Sequence, residues 1–262
     1  MASVSSRAVL LPAEHGAWSL VLEPVVLGLL IAPSWPGATL GLATLAAFLA
    51  RQPLRILASD LLRQRSAPRT AVAAAWGLGL ACLALGLLVV AWRAGARASF
   101  PPLALAAALV LVQFGYDVRN RGKQLVPEVA GASAPGALAS ALLLARGWST
   151  HVALTLWVLL ALRALSSVLY VRTRLRRDRG QHPDARPVWG SHLVGLFVVA
   201  LASAAGLAPW LAAAAFALLV ARAAVSLLGR PRPLSPRVLG FRELGVGIVF
   251  MALLAAGYRL GL

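Results

Sequence analysis

The feature that most restricts this chain is a succession of long apolar runs, broken only by Pro, Gly or charged residues. They lie at about 17–33, 37–59, 71–92, 102–117, 126–145, 151–171, 188–206, 209–228 and 240–258. A helix crosses the hydrocarbon core of a bilayer in about 20 apolar residues, so nine such runs use most of the 262 residues and leave only short connections. Backbone polar groups have no water partner in lipid and must be satisfied within the segment, which selects helices. The reading is an all-α, polytopic membrane protein with about nine transmembrane helices in a single domain over 1–262. Only 13% of the residues are charged, against about 25% in soluble proteins. The stretch before the first run holds Arg7, three apolar residues at 9–11, Pro12 and Glu14. It lacks the apolar region and cleavage site of a signal peptide and is expected to be retained. The lone Cys82 lies inside an apolar run, where packing is its expected role.

Charge gives the sidedness. The net charge of +17 comes from 25 Lys and Arg against 8 Asp and Glu. A nucleic-acid partner needs a soluble basic face, whereas these residues punctuate apolar runs, so no nucleic acid is expected. Nineteen basic residues fall at the N-terminus or at the ends where even-numbered spans lead into odd-numbered ones, counting the adjoining span residues Arg51, Arg55 and Arg242. Four (Arg93, Arg97, Arg146, Arg259) lie on the other side, and Arg163 and Arg222 sit inside spans. The excess of basic residues in short cytoplasmic loops predicts a cytosolic N-terminus and an outer C-terminus in the inner (plasma) membrane.

The even-numbered spans carry polar stripes at helical spacing. In the sixth these are Arg163, Ser167, Tyr170, Arg174 and Arg177; in the fourth, Gln113, Asp117, Asn120 and Gln124, with Arg119 beside them; in the eighth, Arg222, Ser226 and Arg230; in the second, Arg51, Arg55, Ser59 and Arg63, with Asp60 adjacent. Glu23 lies several residues inside the first span and calls for a cation. Intramembrane ionisable residues cost about 2.5–3.5 kcal/mol on insertion scales and face a partner or a cavity. All eight acids fall on the predicted cytosolic half and read as counter-ions, among them Glu23, Glu128 and Glu243. Arginines near span ends also anchor helices by reaching the headgroups. Pro53 is expected to kink the second span. Gly28, Gly79, Gly86, Gly206, Gly245 and Gly247 are read as close helix contacts. No His, Cys and carboxylate cluster has metal-ligand spacing, and no phosphate-binding loop or nucleophile elbow is present; no metal and no cofactor are expected.

Several segments together resemble the YwiC-like integral membrane proteins. They are Pro12-Ala13-Glu14-His15-Gly16-Ala17-Trp18, Phe48-Leu49-Ala50-Arg51-Gln52-Pro53-Leu54, Arg119-Asn120-Arg121, Leu125-Val126-Pro127-Glu128, Leu162-Arg163-Ala164-Leu165, Leu169-Tyr170-Val171-Arg172-Thr173-Arg174-Leu175 and Gly240-Phe241-Arg242-Glu243-Leu244-Gly245. The resemblance supplies no biochemical activity. Helix number and sidedness are similar in turn to the UbiA-type prenyltransferase fold, whose helices surround a cavity with the active site at the cytosolic ends. That family holds Mg²⁺ and prenyl diphosphate on two Asp-rich motifs. At the corresponding places this chain has Asp60 alone and Asp178 among arginines, so Mg²⁺-dependent prenyl transfer is not expected.

The functional expectation is an Arg-rich, cytosol-facing cavity for an anionic-headed amphiphile, such as a lipid phosphate or a quinone precursor. Arg51, Arg55, Asp60, Arg119, Asn120, Arg163, Tyr170, Arg174 and Arg222 would form the anion site. Glu14, His15 and Asp117 are the acid or base candidates if a reaction occurs. The other readings are a small anion permease and a membrane scaffold.

Overall fold

The computed structural model describes residues 15–64, 67–229 and 234–262, with the side chains of 15–17 and 19 outside the description. Ten α-helices make up these residues: α1 His15–Ile31, α2 Trp35–Leu62, α3 Pro68–Arg93, α4 Phe100–Val118, α5 Leu125–Ser133, α6 Gly136–Ala145, α7 Thr150–Asp178, α8 Arg186–Ala204, α9 Trp210–Leu228 and α10 Pro236–Leu260, with a 3-10 turn at Arg97–Ser99. Eight spans are long and apolar enough to cross a membrane, one of them Leu125–Ala145 taken through α5 and α6, and α1 adds a shorter apolar segment, Leu20–Ile31. The chain is a multi-pass membrane protein.

The predicted fifth span is interrupted. Pro135 has no N–H, and Ala137 and Leu138 donate to the carbonyls of Ala134 and Pro135 in a tight turn. The carbonyl of Ser133 is taken by the indole N–H of Trp157 on α7, at 3.0 Å. An unsatisfied carbonyl in lipid costs several kcal/mol, so the tryptophan makes the break tolerable. Pro53 behaves otherwise, lying buried within a single helix that continues to Leu62.

Helices alternate in direction, which brings the ends of α2, α4, α7 and α9 and the starts of α1, α3, α5, α8 and α10 to one end of the bundle. This basic end carries most of the charge. The other half is a dry core, in which Leu27, Leu143, Leu156, Leu159, Phe216 and Phe250 are fully buried. The rings of Phe216 and Phe250 meet edge to face at 5.4 Å. α6 is the central helix, with residues 136–144 all buried. α1 presses on it at Gly28, where a Cβ would stand 2.8 Å from Leu142 and 3.2 Å from the backbone of Ala139. The close contact expected of Gly28 and Gly247 is present, but Gly79, Gly86, Gly206 and Gly245 face open space. They lie on outward faces or, for Gly206, in a turn with φ of +70°. α3 packs chiefly on α2 and turns Trp76, Leu83, Leu85 and Val89 outward, as a lipid-facing helix does. Cys82 is on this exposed surface rather than in packing, because α3 is peripheral.

Candidate functional site: the ion-paired basic end

The stripe on α7 is spent on neighbouring helices. Tyr170 donates to Ser226 Oγ on α9 at 2.8 Å. Arg174 is held by Asp178 one turn on, at 3.0 Å, and donates to the hydroxyl and carbonyl of Ser226 at 2.8 and 2.9 Å. Arg177 donates to the carbonyls of Leu227 and Gly229. The last carbonyls of a helix have no partner within it. Two guanidiniums of α7 therefore cap the end of α9, and their charge complements its dipole.

Deeper in the bundle are two ion pairs. Arg163 of α7 meets Glu23 of α1 at 2.7 Å, with side chains only 12% and 11% exposed. Its guanidinium lies over the ring of Phe250, 5.0 Å from the centroid. Gly247 of α10 makes room: a Cβ there would lie 2.5 Å from Glu23 Oε1 and 2.7 Å from Arg163 Nη2. Four residues earlier on α10, about 6 Å along the axis, Glu243 pairs with Arg222 of α9. Arg222 also lies 3.9 Å above the ring of Tyr170 and 3.0 Å from His192 Nε2 on α8. The Nδ1 of His192 is 2.8 Å from the carbonyl of Val188. A carbonyl only accepts, so Nδ1 carries the proton and Nε2 accepts from Arg222. One cluster thus joins α7, α8, α9 and α10. Within it, the Nε atoms of both Arg163 and Arg222 are buried without a hydrogen-bond acceptor among the described residues.

The remaining candidates are anchored elsewhere. Arg51 on α2 binds Asp117 on α4 at 2.5 Å, and the loop closes over Asp117 so tightly that a Cβ at Gly122 would stand 2.0 Å from Oδ1. Asn120 turns that loop with φ of +58°, and Arg119, exposed, donates back to the carbonyl of Gly115 at 2.9 Å. Arg172 bridges Glu128 and the carbonyl of Lys123, tying α7 to the start of α5. Asp60 receives Arg69 at 3.0 Å and Thr70 at 2.8 Å, which locks the α2 to α3 turn. Arg55 is half-buried on α2. Glu14 lies outside the described residues, as does the side chain of His15; Trp18 of the same motif packs edge to face on Phe48 at 5.1 Å.

The anticipated arginines are therefore each fixed on a carboxylate or a backbone carbonyl, with the exception of Arg55, which has no such contact among the described residues. Of the seven described acids, six are in arginine pairs, and the seventh, Asp184, accepts from the N–H of Arg186. Among the described residues no group of three His, Cys, Asp or Glu side chains is arranged for a metal ion. Sequence spacing did not disclose Arg69 and Thr70 as partners of Asp60, the capping of α9, or the role of Gly247. The excess of arginine over acid beside a helix end was the available signal for the capping.

In comparison with known proteins, residues 11–142 match the family described as YwiC-like protein. No curated protein and no solved structure matches the chain.

Proposed function

The chain belongs to the YwiC-like protein family, and from that premise and the geometry of its basic end we propose that it binds an amphiphile with a phosphate or carboxylate head. The observation that carries this reading is the pair of buried guanidiniums, Arg163 and Arg222, each held rigidly by a carboxylate yet with its Nε unsatisfied. A guanidinium has five N–H donors in a planar fork that fits carboxylate and phosphate. An anionic head reaching the Nε edge would gain donors already positioned. The further basic residues of this end supply long-range attraction.

We place the basic end in the cytosol, from the distribution of arginines among the loops, and liken the helix arrangement to the UbiA type on helix number and sidedness. Chemistry of that family's magnesium kind finds no support in the carboxylates. Asp60 is engaged by Arg69 and Thr70 and Asp178 by Arg174. Asp117, engaged by Arg51, would have to leave that guanidinium to act as a base. An interrupted span often marks the substrate site of a permease, but here the freed Ser133 carbonyl is occupied by Trp157.

Native mass spectrometry of gently purified protein tests the reading. The expected result is a co-purifying anionic amphiphile that is lost in Arg163→Ala and Arg222→Ala. No such adduct on the wild-type protein, or an adduct indifferent to both substitutions, would overturn it. Anion flux into proteoliposomes that requires both arginines would assign a permease instead.

A further inference from the structure

A second place at the basic end has the makings of a ligand site. Where the α7 to α8 connection passes the end of α9, it borders an open cavity of about 310 Å³. Its lining includes polar side chains, Arg177, Gln181 and His182, and apolar ones, Trp189, Leu227 and Leu228. Among the described residues no Asp or Glu lines it. The guanidinium of Arg177 is pinned by its bonds to the carbonyls of Leu227 and Gly229. Those bonds use two of its five donors, so it is a fixed cation with donors to spare. Gln181 and His182 are exposed at the rim.

The cavity sits at the ends of the membrane helices, where phospholipid headgroups lie and where Trp is favoured. Its size is at the small end of ligand pockets, enough for a head and its first carbons but not for a whole chain. We propose that this cavity binds the phosphate head of an anionic membrane lipid, with Arg177, Gln181 and His182 on the phosphate and the lipid's apolar part along Trp189 and Leu228. The site is distinct from the intramembrane pairs, since Arg177 lies about 21 Å along α7 from Arg163 at 1.5 Å per residue. It does not rest on the function proposed above.

The full chain in nanodiscs of phosphatidylcholine doped with phosphatidic acid, ejected into a native mass spectrometer, supplies the test. The wild-type protein is expected to retain phosphatidic acid over phosphatidylcholine. The double substitution Gln181→Ala, His182→Ala, confined to exposed side chains, is expected to lower that retention roughly tenfold, the effect of losing one charge-assisted hydrogen bond. Arg177→Lys, which keeps the charge but not the fork, should fall between the two, and Arg146→Ala, an exposed side chain at the opposite end of the bundle, should leave retention unchanged. Equal retention of both lipids, or indifference to the double substitution, would overturn the proposal. Retention lost in Arg163→Ala alone would move the lipid to the intramembrane pair and equally overturn it. Full displacement by millimolar inorganic phosphate would reassign the cavity to a soluble phosphate.

Discussion

A buried ion pair is a weak source of net stability, because desolvation offsets its attraction, yet breaking one side of it costs about 3–5 kcal/mol. Glu23 and Arg163 are such a pair, and Gly247 is the reason they fit. Gly247→Ala is expected to destabilise the protein by about 1–3 kcal/mol, the usual cost of overpacking, read as a lowered melting temperature in detergent. Gly245→Ala, on the same helix but facing open space, should leave the melting temperature unchanged. Arg163→Met should destabilise by more than the double change Arg163→Met, Glu23→Gln, because the single change strands a carboxylate. The sequence showed that Glu23 needed a cation and that most of the acids would serve as counter-ions. It did not show which arginine would answer, since partners such as Asp117 and Arg51 meet only through the packing of α2 on α4. Among candidates for an anion site, Asn120 owes its place to a left-handed turn, a conformation that Asn tolerates better than most residues.

At the scale of helices, apolar run length located the spans well, because a bilayer imposes one length on all of them. It was blind to the break between α5 and α6. Ser133-Ala134-Pro135-Gly136 stays apolar enough to read as continuous, and Pro53 shows that a proline need not end a helix here. The difference is made by Trp157, a residue of another helix. Trp157→Phe keeps the ring but removes the donor to Ser133. It is expected to cost about 1–3 kcal/mol, the penalty of an orphaned buried carbonyl, and to speed amide exchange around residues 134–138. The close of α9 follows the same logic: its carbonyls are capped from α7, so the two helices are joined at the basic end by hydrogen bonds as well as by packing.

For the molecule as a whole, sidedness is the most accessible prediction. In a Cys82→Ser background, Ala98→Cys lies at the end opposite the basic one and Lys123→Cys at the basic end. A membrane-impermeant maleimide applied to intact cells should label the first and reach the second only after permeabilisation; the reverse pattern would invert the proposed topology. Native Cys82, midway along the lipid-facing side of α3, should react with a permeant maleimide and resist a charged one. The spans were legible because hydropathy acts over long stretches of sequence. The local fate of each guanidinium was not, because the supply of acids and carbonyls around it is fixed only in three dimensions.

α1 and α10 clasp each other twice. Gly247 of α10 backs the Glu23 pair of α1, and Arg259 of α10 donates to the carbonyl of Leu30 of α1 at 2.7 Å. During synthesis Glu23 therefore enters the bilayer without its cation and waits while about half the protein is made before Arg163 arrives, and longer still for α10. At about 5–20 residues per second that interval is many seconds, far slower than side-chain motion. The nascent bundle passes through a stage in which α1 carries an unmatched acid, and the pair is covered only when Gly247 of α10 packs against it.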